Sequence, residues 1–171
     1  MATTQIETAR LILRTVTLDD VEEVARSWRL DEGPISREEA ANRVQWMLAN
    51  HEQNAPGRLV HLCFAIVHRE APEIIGWCGL DHRNQMMANP VLFYLLKAQY
   101  YGKGLATEAA KAVLGHAFGA LDLARVDGGA AFENMASRRV MEKIGMRYLG
   151  TDEEGGHSFT LTREEYRSAQ V

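Results

Sequence analysis

The chain has only two cysteines, Cys63 and Cys78, each inside an apolar, strand-like run and neither closely spaced with the other or with a histidine pair. This excludes a disulfide framework, and both read as buried reduced thiols. Its six histidines form no H-x-x-x-H set and no C-x-x-C accompanies them, so no metal is expected. No apolar run approaches the roughly 18 residues that a membrane span needs, and residues 1–5 lack a basic-then-apolar signal pattern. A cytoplasmic protein without membrane contact is the expectation. Basic residues are not in surplus either: the net charge of −4 argues against a nucleic-acid partner and leaves cationic or neutral ones open. Repeats, low-complexity tracts and linkers are also missing.

What is there is the composition of one ordinary globular domain spanning 1–171, with 46% hydrophobic and 25% charged residues. Residues 10–16 alternate as a strand, and Thr17, Asp19 and Asp20 supply cap-type residues for a helix to about Leu30. Gly33-Pro34 breaks it. Ser36 with Glu39 three residues later forms a capping-box signature for a second helix reaching about Asn50. Residues 62–67, 74–80 and 91–96 are β-rich runs separated by turn formers, which predicts an antiparallel meander. Leu105, Ala109, Ala112, Val113, His116 and Ala117 then recur at helical spacing as far as Gly119. A strand over 125–132, a helix over 134–144 stopped by Gly145, and a hairpin of 146–150 with 157–162 complete the order β-α-α-β-β-β-α-β-α-β-β. This is a mixed α/β domain.

The densest signal lies where the third meander strand meets the Ala-rich helix: Tyr101-Gly102-Lys103-Gly104-Leu105-Ala106-Thr107-Glu108. Two glycines let the backbone pass close to a ligand, and the first N–H groups of the helix point outward with the positive end of its dipole. Phosphate suits such a cradle. The turn is not a P-loop, because Gly104 rather than Ser or Thr follows Lys103 and the four-residue spacer to an upstream glycine is missing. Nor is it a Rossmann fingerprint, which would place glycine where Thr107 stands.

The strand, this turn and its helix, followed by Glu133-Asn134-Met135-Ala136-Ser137 and Glu142-Lys143-Ile144-Gly145-Met146, resemble the GNAT superfamily of acetyl-CoA-dependent N-acetyltransferases. More narrowly the chain is similar to the group related to ribosomal-protein N-terminal acetyltransferases. Thr8-Ala9-Arg10-Leu11-Ile12-Leu13-Arg14, Ile75-Gly76-Trp77-Cys78-Gly79-Leu80 and Leu161-Thr162-Arg163-Glu164-Glu165-Tyr166 carry the likeness over nearly the whole chain. The resemblance implies a single-domain GNAT-like fold: a mixed, mostly antiparallel sheet of about seven strands, about four helices, and a splay at the cofactor site. The superfamily's Gln/Arg-x-x-Gly-x-Gly/Ala motif fits in two registers, one from Gln99 and one from Tyr101. The second is preferred, because its two small residues, Gly104 and Ala106, meet the start of the helix.

By that resemblance, N–H groups from about Gly102 through Lys103, Gly104, Leu105 and Ala106 to Thr107 hold the pyrophosphate of acetyl-CoA, with Tyr101 at the motif's Gln/Arg position beside it. The backbone of Tyr94, Leu95 and Leu96 pairs with pantetheine at an edge opened between 91–96 and 130–133. Asn134 contacts the pantetheine arm as well as capping its helix, and Ser137 lies near the thioester sulfur. The implied reaction is direct attack of a neutral amine in a ternary complex, with a strand N–H near Leu95 steadying the oxyanion. A tyrosine acid common in the superfamily is replaced by Met141, and a glutamate of the related group by Val91. Glu133, Asp81 and His82 are therefore the candidates for moving the amine's proton. The acceptor is a small molecule or a protein N-terminus, chosen by 30–36, 81–90 and 151–156, where Asp152, Glu153 and Glu154 offer negative charge. Homodimers are frequent among such proteins. The alternative is a non-catalytic acyl-CoA-binding member of the fold.

Overall fold

A computed structural model describes residues 4–28, 33–82, 89–151 and 155–169. A three-residue edge strand, β1 (Gln5–Glu7), pairs antiparallel with β2 (Leu11–Thr15), where Leu11, Leu13 and Thr15 are buried in the alternation expected of residues 10–16. Helices α1 (Val21–Ser27) and α2 (Arg37–His51) follow, and Ser36 caps α2 by accepting the Glu39 N–H at 3.1 Å. The meander is β3 (Leu62–His68), β4 (Ala71–Asp81) and β5 (Val91–Leu96), each antiparallel to the one before. After α3 (Leu105–Gly119) come β6 (Arg125–Ala130), α4 (Met135–Lys143), β7 (Arg147–Thr151), β8 (His157–Thr162) and α5 (Arg163–Ser168).

Among the described residues eight strands share one sheet in the order β1-β2-β3-β4-β5-β6-β8-β7, in which only the β5/β6 pair is parallel. The mixed, mostly antiparallel α/β architecture read from the sequence holds. The eight strands and five helices of the described residues exceed the expected seven and four by β1, none of whose three residues is buried, and by α5, six residues entered through a Thr162/Glu165 capping box. Neither is long enough to show periodicity. The first helix ends at Ser27 with Trp28 as its C-cap, short of the expected end near Leu30, and the acceptor segments within 29–32, 83–88 and 152–154 lie outside the described residues.

The sheet buries both faces. On one side α1 and α2 cover Val16, Val44, Met47, Cys63 and Trp77, whose ring N–H donates to the Ser27 carbonyl at 3.2 Å. On the other, α3 and α4 cover Leu11, Leu13, Phe64, Cys78, Leu114 and Phe159. Each such side chain removed from water contributes roughly 1.5 to 3 kcal/mol. Cys63 and Cys78 are free thiols on opposite faces, and burial pushes both thiols well up. Trp28 packs beside Trp77, whereas Trp46 is half exposed on the outside of α2. Arg14 holds Asp20 through two contacts of 2.7 Å, tying β2 to the entrance of α1.

Candidate active site

Two glycines shape the turn that joins β5 to α3. Gly102 and Gly104 have φ of +72° and +74°, the left-handed region that side chains with a Cβ rarely adopt. Gly104 is the N-cap of α3 without a side-chain cap, and the first intrahelical bond runs from the Glu108 N–H to its carbonyl at 3.1 Å. The N–H groups of Leu105, Ala106 and Thr107 therefore have no intrahelical partner. The space beyond Gly102 is open, with no atom within 4 Å of where a Cβ would stand. An anion can approach this backbone directly. Tyr101 and Lys103 are exposed on the same turn, and the Lys103 ammonium lies 5.3 Å from the centre of the Tyr100 ring.

The turn is held from two sides by residues far away in sequence. On the β2 side the Arg10 guanidinium donates to the Lys103 carbonyl at 2.8 Å and to Glu108 Oε2 at 2.7 Å. Glu108 Oε1 accepts the Thr8 hydroxyl at 2.6 Å and the Arg10 N–H at 2.8 Å. Partial burial pushes the Glu108 carboxyl up, but these bonds outweigh it and leave the group below its usual range. On the other side, Tyr100 donates to the Glu73 carboxylate of β4, and the Lys97 ammonium lies 3.0 Å from Glu23 of α1. Neither Arg10 nor Glu108 stands out in the sequence as a brace of this turn. A spacing of 98 residues carries no local signal.

Beside this turn the sheet opens. β5 and β6 register only at Val91 with Asp127, whose N–H donates to the Pro90 carbonyl at 2.8 Å, and beyond that point the strands diverge. The resulting cleft of about 770 Å³ is lined by Tyr94 and Leu95 on one wall and by Ala130, Glu133, Asn134 and Ser137 among others on the opposite side. Its strand edge follows from register. Lys97 N–H donates to the Ile75 carbonyl at 2.8 Å, and β4/β5 pairing then runs unbroken from Gly76/Leu96 to Asp81/Val91. Opposite residues in an antiparallel ladder alternate between exchanging two bonds and none. Leu95 and Phe93 thus bond to β4, while Leu92, Tyr94 and Leu96 turn their N–H and C=O groups toward the β6 side, Leu92 where β5 and β6 still pair and Tyr94 and Leu96 where the gap has opened. A Cβ on Gly76 would meet the Leu95 carbonyl oxygen at 2.0 Å, which agrees. Of the three residues expected to pair with pantetheine, the register directs the backbones of Tyr94 and Leu96 into the opening, and that of Leu95 away from it.

Across the gap Asn134 caps α4, its side chain accepting the Ser137 N–H at 3.0 Å. Tyr94 reaches the same turn, donating its hydroxyl to the Ser137 carbonyl at 3.1 Å. Met141 is buried in the cleft floor against Gly128 and Met146. Glu133 is exposed at the mouth. Asp81 ends β4 opposite Val91, and it and His82 are not among the residues lining the cleft. The Asp81 carboxylate instead lies 3.6 Å from the buried His61, which holds it below its usual range. Among the described residues no three His, Cys, Asp or Glu side chains are grouped so as to hold a metal ion, and no helix is long and apolar enough to cross a membrane.

Comparison with known proteins agrees with this geometry. A family model described as an acetyltransferase (GNAT) domain matches residues 10–147. The chain is 29% identical over 154 residues to the "Uncharacterized N-acetyltransferase YoaA" of Bacillus subtilis (strain 168), covering 85% of this chain and 84% of that protein. It is also 29% identical over 156 residues to the FsC-acetyl coenzyme A-N(2)-transacetylase of Aspergillus fumigatus, covering 80% and 63%. A solved ribosomal-protein-S5-alanine acetyltransferase from Vibrio fischeri superposes with a TM-score of 0.79 over 95% of this chain and 98% of that one, at 18% identity, a likeness of fold.

Proposed function

We propose, from the premise that this chain belongs to the acetyltransferase (GNAT) family, that it transfers the acetyl group of acetyl-CoA to a primary amine by direct attack in a ternary complex. One observation carries the reading: the unpartnered N–H groups of Leu105, Ala106 and Thr107 stand at the end of a strand whose neighbour has splayed away. The helix terminus suits the pyrophosphate. The open edge of Leu96 and Tyr94 suits the pantetheine amides, which would extend the sheet as a strand. Asn134 and Ser137 supply the opposite wall.

In this reading the amine nitrogen attacks the acetyl carbon, the carbonyl oxygen takes up charge, and the C–S bond breaks. The Tyr94 N–H faces the gap and replaces Leu95 as the donor to the oxyanion, a contact whose loss costs about 3 kcal/mol of barrier. The amine's proton leaves through water toward Glu133, the acid that lines the cleft mouth. Glu133 is also the only charged side chain among the described lining residues, which favours an acceptor with a cationic amine. By their names, the solved neighbour acetylates an alanine of ribosomal protein S5 and the Aspergillus relative is an N(2)-transacetylase of FsC, and peptides with free N-termini and small amines both belong in the test.

Purified protein incubated with acetyl-CoA and a panel of small amines and peptides with free N-termini should release CoA thiol only when an accepted amine is present. Met141 and Val91, which put no proton carrier at two positions where relatives of this fold have one, favour the second reading of a binding module. Tight CoA binding with no thiol release across the panel would establish that module instead.

A further inference from the structure

The cleft contains one hydroxyl held from both walls, that of Tyr94. The ring belongs to β5 and is half-buried, packed against the α3 side of the core. Its oxygen crosses to the first turn of α4 and donates to the Ser137 carbonyl at 3.1 Å. That carbonyl is an interior helical acceptor, so the Tyr94 contact is an additional bond that can be given up without orphaning it. The Met141 thioether on the cleft floor has no proton to offer, and its sulfur would lie 2.8 Å from any Cβ at Gly128, so it fills that space. Asn134 spends its side-chain oxygen on the Ser137 N–H. Glu133 and Thr151 are exposed at the rim.

The geometry points to Tyr94 as a catalytic residue whose hydroxyl turns from the Ser137 carbonyl to donate a hydrogen bond to the sulfur of CoA as the C–S bond breaks. The assignment rests on the acetyl-transfer reading. A pantetheine arm entering from the α3 turn and extending along the edge of β5 passes Leu96 first and Tyr94 next. Its sulfur end thus arrives beside the phenol and the α4 turn. The electrons balance simply. The nitrogen lone pair forms the C–N bond, the C–S pair moves to sulfur, and the nitrogen's proton goes to water. A thiolate is no stronger a base than a phenolate, the cysteine thiol lying at about 8.5 against about 10 for tyrosine. The phenol therefore keeps its proton while donating, and the thiolate is protonated by solvent after release. Burial raises the Tyr94 phenol further, against a smaller opposite effect of the Ser137 bond. The donor is therefore intact at neutral pH.

The test pairs a binding readout with turnover. CoA bound to the wild-type protein is titrated by its thiolate absorbance, taken as the difference with and without CoA. Cys63 and Cys78 are silent in this range because burial pushes their thiols far up. A donor to sulfur lowers the bound thiol's midpoint by about one pH unit below that of free CoA, and Tyr94→Phe abolishes the shift. With hydroxylamine, an acceptor neutral at pH 7, Tyr94→Phe should lower kcat about 10- to 100-fold while KM for acetyl-CoA and the calorimetric affinity for CoA stay within about threefold. Equal midpoints in the two proteins, an unchanged kcat, or a loss appearing mainly in CoA affinity would each overturn the assignment. Failure of the wild type to turn over any acceptor, with the thiol midpoint still shifted, would count against acetyl transfer and not against the contact.

Discussion

Gly104 bears a strict conformational demand, shared with Gly102. Its φ of +74° costs an L-residue about 1 to 2 kcal/mol, although space is not the obstacle, since a Cβ there would meet only an Arg10 guanidinium nitrogen at 3.7 Å. Gly104→Val should relieve its strain by rotating the peptide that aims the first N–H groups of α3. CoA affinity is then expected to fall about tenfold or more, which corresponds to about 1.4 kcal/mol, with the domain still folded. Gly104→Asn should keep most of the affinity, because asparagine tolerates the left-handed region. Calorimetry with CoA beside a thermal melt measures both quantities. Unchanged affinity in the valine variant would move the pyrophosphate away from this terminus. Asn134 shows the same economy at one residue, its cap bond to Ser137 being compatible with the pantetheine contact read from the resemblance.

At the scale of elements, α3 presents its terminus accurately because β1, β2 and their connection hold it. The Arg10 fork joins the Lys103 carbonyl to the Glu108 carboxylate, coupling the turn to the helix it precedes. Exposed ion pairs contribute about 0 to 1 kcal/mol, so Arg10→Ala should lower the melting temperature little while weakening CoA binding about five- to tenfold, a loss of one aligned contact's size. Arg10→Lys should not rescue binding, because an ammonium is a point charge without the planar fork. Full rescue by lysine would show that charge alone matters. The contrast explains what could be read from the chain. The glycine turn, the start of α3 and the Asn134 cap are written in neighbouring residues, through backbone conformation and capping chemistry. Arg10 with Glu108, and Tyr94 with Ser137, meet only after the sheet forms. The exchange of Leu95 for Tyr94 at the open edge is a matter of strand parity, which depends on the Lys97 to Ile75 bond and not on composition. Edge strand β1 had too few residues, and too little burial, to show a period.

For the molecule as a whole, pH should separate stability from cofactor binding. His51 closes α2 and His116 lies near the end of α3, which runs away from the cradle, so both sit toward the opposite end of the sheet. Burial lowers each below its usual range, helped for His51 by His61 and for His116 by His51. The unfolded chain therefore binds more protons than the native one around pH 6.5, the ordinary histidine value of about 6.5. Their stability is fully present above that value, declines as pH falls through it, and levels off below the native midpoints. The carboxylates act lower. Asp20, where Arg14 and Thr17 outweigh burial, Asp81 beside His61, Glu108 and Glu165 are all held below their usual range, Glu165 at about 2 through Thr162 and Arg147. What they contribute is present above about pH 4.5 and is lost below it. Thermal melts from about pH 2.5 to 8 should thus show two successive declines on acidification. His51→Gln with His116→Gln should flatten the upper decline only, leaving the lower one and the CoA affinity at pH 7.5 unchanged. An upper decline of undiminished size in the double variant would assign it to groups other than these two rings.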